Sequence, residues 1–179
     1  MTIRPFNHRH PILGEDVYID ESAVVIGDVT LGDDVSIWPT SVVRGDVEKI
    51  TIGAKTNIQD GAILHVSHQG DFSASGHPLS IGQGVTIGHR AVIHGCTIGN
   101  YCLIGIGAIV MDDAMLEDYV MLGAGALVPP NKKLESGYLY TGVPAKQSRI
   151  LRDEEKAFLQ YSAHHYVSLK NRYITQSKS

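Results

Sequence analysis

The chain has 179 residues, 43% of them hydrophobic and 19% charged, with a formal net charge of −4. That balance excludes a disordered chain, supplies apolar material for a core, and offers nucleic acid or an anionic membrane surface no electrostatic foothold. Aromatics are only 7% and glycines number 19, so the interior must be narrow and built from small aliphatic side chains.

In chain order, the first segment, Met1 to His8, has no apolar run of the signal-peptide kind. No stretch of 18 apolar residues follows anywhere, so no membrane helix is expected. From Ile19 an aliphatic residue recurs every six positions, at Val25, Leu31, Ile37 and Val43. The phase slips by three and resumes at Ile52, Ile58 and Leu64, then again at Ile81, Ile87 and Ile93. One five-residue step leads to Ile98, Ile104, Val110, Leu116, Leu122, Val128 and Leu134. A helix would repeat its apolar residues at three and four, and a plain strand at two. A period of six with glycine often in second place reads as an all-β solenoid, a coiled β-helix of hexapeptide repeats. Three hexads, 18 residues, make one triangular coil, so the 18 starts predict about six coils stacked at ~4.8 Å. Glycine is expected to turn the corners by tolerating unusual dihedrals.

Two segments fall outside the repeat. Gly70 to Ser80, rich in Gly, Ser and Ala, reads as a surface loop inserted in the solenoid. The tail from Arg152 to about Gln176 opens on Asp153-Glu154-Glu155, acid that suits a first helical turn. It then spaces Phe158, Leu159, Ala163, Tyr166, Leu169 and Tyr173 as one helix face, expected to pack along the solenoid. The organisation is therefore a β-helix domain over 1–148, with an N-terminal extension and loop 70–80, and a helical tail over 149–179. Cys96 and Cys102 make no metal pair and read as reduced, small core residues of a cytoplasmic protein.

Nine histidines are present. His65 and His94 both stand second in their hexads, 29 residues apart. Removing the 11-residue insertion leaves 18, one coil, so they should stack about 5 Å apart on one face. His68 points differently. His89 lies across a corner from His94 and should emerge from another face. Three histidines would converge only if one chain's His89 face met another chain's His65/His94 face. Three imidazoles with an open position form the ligand set of a catalytic zinc; surface or interface histidines are the plainer reading.

Arg44-Gly45-Asp46, the run Asn57-Ile58-Gln59-Asp60-Gly61-Ala62-Ile63-Leu64-His65 and the run Ile87-Gly88-His89-Arg90-Ala91-Val92-Ile93-His94-Gly95 resemble γ-class carbonic anhydrases, over roughly residues 10 to 175. The resemblance implies a left-handed parallel β-helix, a homotrimer, and a metal at each of three interfaces. His65 and His94 would come from one subunit and His89 from its neighbour. Zinc is the expected ion, with iron or cobalt as substitutes. Asn57 and Gln59 would line the site, Arg44, Asp46 and Asp60 would form an interface ion-pair network, and Tyr140 would be a further site residue. The implied reaction is attack of a metal-bound hydroxide on carbon dioxide, giving bicarbonate. Val47 and His68 stand where the family's archetype has two proton-shuttling glutamates, with His68 a substitute shuttle, so turnover is expected to be weak. Two alternatives are a hexapeptide-repeat acyltransferase, with a histidine base and coenzyme A, and a non-enzymatic trimeric scaffold stabilised by metal. The run Thr141 to Lys146 is common to the whole superfamily and does not separate them.

Overall fold

The computed structural model describes residues 2–71 and 75–176. The hexads form a parallel β-solenoid whose three faces each carry seven rungs. The first face runs from Ile3–Arg4 through Ile63–His65 and Val92–His94 to Leu127–Val128, the second from Ile12–Leu13 to Lys133–Leu134, the third from Tyr18–Ile19 to Tyr138–Thr141. Two long strands, Val24–Leu31 and Val42–Ile52, pass round one corner unbroken and join the first two faces. Lys146–Ile150 closes the third face as an eighth strand, antiparallel to Tyr138–Thr141.

The coil count exceeds the expected six because Ile3–Arg4 and Ile12–Leu13 add two rungs before Ile19, and Tyr138–Thr141 adds one after Leu134. Ile3 pairs with Val25, Ile12 with Thr30 and Ile19 with Ile37. The three-residue slip after Val43 is absorbed in the strand Val42–Ile52, whose register against Val24–Leu31 shifts between Gly27 and Val29.

Every hexad start from Val25 to Leu134 is at most 2% exposed. Each points inward and stacks on its counterpart one coil away, as in the column Ile58, Ile87, Ile104, Leu122 and Tyr140. Two residues before most starts lies a second inward residue, usually small: Ala62, Ala91, Cys96, Cys102, Ala108, Ala114 and Ala126 are all buried. Strand alternation explains the pair, since side chains two apart share a face. Both cysteines are free thiols in this small-residue column, where burial pushes Cys96 and Cys102 well above the ordinary thiol range.

The glycines act differently from expectation. Second-position glycines such as Gly53 and Gly105 do not turn the corner by a positive φ. A Cβ on Gly53 would fall 2.6 Å from the Gly82 carbonyl carbon, and on Gly105 2.5 Å from the Ala124 nitrogen. They let neighbouring coils approach. The left-handed residue comes at position four instead, as at Asp34, Lys55, Arg90, Tyr101 and Gly107.

The insertion starts as expected but ends sooner. Ser67 and His77 bridge at its base, and Leu79 and Ser80 already pair with Ile50 and Thr51. Residues 72–74 of the expected loop lie outside the described residues.

The tail forms one helix, α1, Asp153–Gln176. Its buried stripe is Leu159, Ser162, Ala163 and Lys170, while Phe158 is half exposed. The two polar members are partnered: Ser162 Oγ lies 2.9 Å from Thr86 Oγ1, and Lys170 Nζ 2.7 Å from Asp34 Oδ1. Trp38 seats the helix, with Tyr166 at 5.6 Å and Tyr173 at 5.2 Å between ring centroids. Among the described residues no helix is long and apolar enough to cross a membrane.

Candidate metal centre

Strand register brings two histidines together. His94 pairs directly with His65 one rung away on the first face, so their rings meet edge to face with centroids 5.1 Å apart. His65 Nδ1 lies 3.1 Å from His94 Nε2. The other nitrogen of each ring faces a carboxylate. His65 Nε2 donates to Asp46 Oδ1 at 3.1 Å, and His94 Nδ1 donates to Asp112 Oδ1. Asp46 also pairs with Arg44, and Asp112 Oδ2 accepts from Ser67 Oγ at 2.9 Å.

These contacts act on the carboxyls and on His65 in the opposite sense to burial. Burial pushes Asp46 up, but hydrogen bonds from Arg44 and His65, with the charge of Arg44, outweigh it and hold the carboxyl below its ordinary range. Asp112 follows the same pattern, burial being outweighed by the bonds from His94 and Ser67. Burial, aided by Arg44, holds His65 below the ordinary imidazole range against the pull of Asp46. Protons on His65 Nε2 and His94 Nδ1 would be the ones that the two aspartates accept. The lone pairs of His65 Nδ1 and His94 Nε2 would then face each other across 3.1 Å, an arrangement that suits a cation between them. Placed ~2.05 Å from both nitrogens, an ion would subtend roughly 100° at the pair, near the tetrahedral angle.

His89 stands elsewhere. It follows the third-face strand Thr86–Ile87, and its Nδ1 lies 3.0 Å from Asp60 Oδ2. Among the described residues of one chain no three His, Cys, Asp or Glu side chains are grouped to hold a metal ion. Asn57 and Gln59 accompany His89 on the third face. Gln59 Nε2 donates to Asn57 Oδ1 at 3.2 Å, and Asn57 Nδ2 to Thr86 Oγ1 at 3.0 Å. The chain continues to Ser162 of α1. Gln59 and His89 line one end of a mostly apolar cavity of about 420 Å³ between α1 and the third face, with Tyr166 and Phe158 on its helix side.

Asp60 does not join Arg44 and Asp46 within the chain; it sits on the other face, against His89. Tyr140 is not brought to the histidines of its own chain either. It occupies the inward column four rungs from Ile58, roughly 19 Å along the stack, and its hydroxyl bonds Glu135 and Gln147. The reason is its place in the repeat: it stands six residues after Leu134, as one more inward start. His68 turns over Gly70 at the base of the insertion, and Glu48 lies against Gly76 there. Asp112 went unnoticed in the sequence: the five-residue step shortens this coil to 17 residues, since Ile93 pairs with Val110, so Asp112 stands one residue past the position level with His94.

The hexapeptide model "Bacterial transferase hexapeptide (six repeats)" matches residues 10–45 and 95–130. Protein YrdA of Escherichia coli is 58% identical over 97% of this chain and 95% of its own length. Gamma carbonic anhydrase 1, mitochondrial, of Arabidopsis thaliana is 42% identical over 93% of this chain, which spans 60% of that relative. A crystal structure of a hexapeptide transferase family protein from Anaplasma phagocytophilum superposes with a TM-score of 0.89 at 40% identity, covering 96% of this chain and 98% of the other.

Proposed function

Because this chain belongs to the γ-carbonic-anhydrase family of hexapeptide-repeat proteins, we propose that it is a homotrimer holding a divalent metal ion between subunits and hydrating carbon dioxide slowly and reversibly. The observation that carries the proposal is the approach of His65 Nδ1 and His94 Nε2 to 3.1 Å, with a carboxylate on the other nitrogen of each ring. His65 and His94 would be two ligands from one subunit, and His89, braced by Asp60, the third from its neighbour. Three imidazoles suit zinc, with iron or cobalt as substitutes. A bound ion would supply Lewis-acid activation of a water at neutral pH.

The chain's own groups do the rest. Gln59, held by Asn57, which Thr86 holds in turn, is braced to orient a small neutral substrate beside His89. The apolar wall of the adjoining cavity suits carbon dioxide better than bicarbonate. Proton export is the weak point. Val47 is 43% exposed and carries no proton, and Glu48 is turned to the insertion. That same feature favours a second reading, a trimer that keeps metal for assembly alone. Cytoplasmic residence is part of the proposal, supported by the free thiols of Cys96 and Cys102. The test is metal analysis beside solution mass, with stopped-flow hydration assays. One tight metal ion per chain in a trimer, with buffer-dependent hydration, is the expected result. A metal-free monomer would overturn the proposal, and a metal-loaded trimer without hydration would select the scaffold.

A further inference from the structure

We propose that Asp112 is a positioning residue that keeps the proton of His94 off the nitrogen facing the metal position, and that Ser67 holds it in place for this task. The inference rests on the metal reading above. It starts from a choice open to His94. A neutral imidazole carries one proton, on Nδ1 or Nε2. With the proton on Nε2, His94 would donate to His65 Nδ1, 3.1 Å away. That hydrogen bond would satisfy both rings and close the space a cation needs. The free chain has no reason to avoid it. Asp112 supplies the reason, because its carboxylate faces His94 Nδ1 within hydrogen-bond distance. A lone pair on Nδ1 would then face an anion, so the proton goes to Nδ1 and the Nε2 lone pair is left aimed at His65.

The surroundings are arranged to hold that carboxylate there. Ser67 donates to its second oxygen at 2.9 Å. The neighbouring Asp113 holds His77 of the same insertion, Oδ1 to Nδ1 at 2.8 Å. The base of the insertion is thus tied to the turn that braces His94. Gly95 leaves the passage open. Its φ is +47°, and a Cβ there would fall 2.4 Å from Asp112 Oδ1 and 2.8 Å from His77 Cβ.

The test separates this inference from the metal reading. Nitrogen–proton correlation spectra of the metal-free full chain, taken at one mildly alkaline pH, report the tautomer of His94 directly. The parent protein should show the Nδ1–H form. Asp112→Ala should convert it to Nε2–H, and Ser67→Ala should populate both. Zinc competition against a chromophoric chelator should show about 10- to 100-fold weaker binding for Asp112→Ala, with a smaller loss for Ser67→Ala. Asp112→Asn keeps the size and one acceptor oxygen, so it serves if the alanine variant fails to fold; it should fall between parent and alanine. A parent that shows the Nε2–H form, or an Asp112→Ala variant whose tautomer is unchanged, would overturn the inference. An unchanged zinc affinity in a folded Asp112→Ala variant would overturn it as well. A parent that binds no zinc while showing the expected tautomer change would sink the metal reading and leave the proton-placing role of Asp112 standing.

Discussion

If the metal position draws His65 and His94 from one subunit and His89 from the next, two defective chains should repair each other. His65→Ala removes one ligand from every site of a trimer, and so does His89→Ala. Co-refolded together, they build an intact junction wherever a His89→Ala chain supplies His65 and His94 and a His65→Ala chain follows it with His89. For an equal, random mixture each junction is intact with a probability of about one quarter, so three junctions give about 0.75 site per trimer. About three quarters of the trimers would hold both chains, with one site each, in either stoichiometry. The structure makes the outcome decisive, because His89 leaves the third face beside Asp60 while His65 and His94 face each other on the first. The assay is metal content after chelator washing of trimers separated by affinity tags of two kinds. Mixed trimers should retain close to one ion, and neither pure variant should retain any. Tight metal absent from mixed trimers of confirmed composition would refute the shared site and the role given to His89.

Three further outcomes are expected. Lys170 is fully buried beside Asp34, which stays 28% exposed; Lys170→Ala should cost about 2–4 kcal/mol in urea unfolding, toward the lower side of a broken buried pair because water still reaches the aspartate. Burial and its bond to Asp20 push Tyr18 up to about 12. A raised pKa means that its contribution is intact below the unfolded value of about 10 and fades as pH climbs from there to about 12; unfolding midpoints should fall across that window in the parent and fall less in Tyr18→Phe. Val47→Glu should raise carbon dioxide hydration without altering metal content, and added imidazole buffer should narrow the gap between the two proteins; stopped-flow rates indifferent to both would place the slow step elsewhere.

The solenoid was readable because its signal is a strict period. Val25 through Leu134 needed only counting by six, and the stacking of His65 on His94 followed from removing one insertion. The coil that Ile19 completes escaped notice because Ile3 and Leu13, its other rungs in register with Val25 and Leu31, are ten residues apart, and the irregular turn around Asn7 and His8 takes up the difference. The glycines misled for another reason. A sequence shows that Gly105 lacks a side chain but not what presses on it, and here it is the next coil. Within one chain Tyr140 is a further inward rung and Asp60 faces His89; the roles the resemblance implies for them belong to the interface between subunits. Asp112 escaped the coil arithmetic, because the five-residue step makes the offset at this coil 17 and leaves Asp112 one residue out of step with His94.

A parallel stack whose every rung resembles the one before has no inherent reason to stop. Each terminal coil offers a row of unpaired amides and carbonyls on which another molecule's first coil could template, as in a fibril. In this protein the antiparallel strand Lys146–Ile150 occupies that row on the third face. A chain cut after Tyr140 would lose this stop and present a bare edge continuous with the column beneath it. The closing strand, all five of its residues exposed, thereby denies such templating one of the three terminal rows.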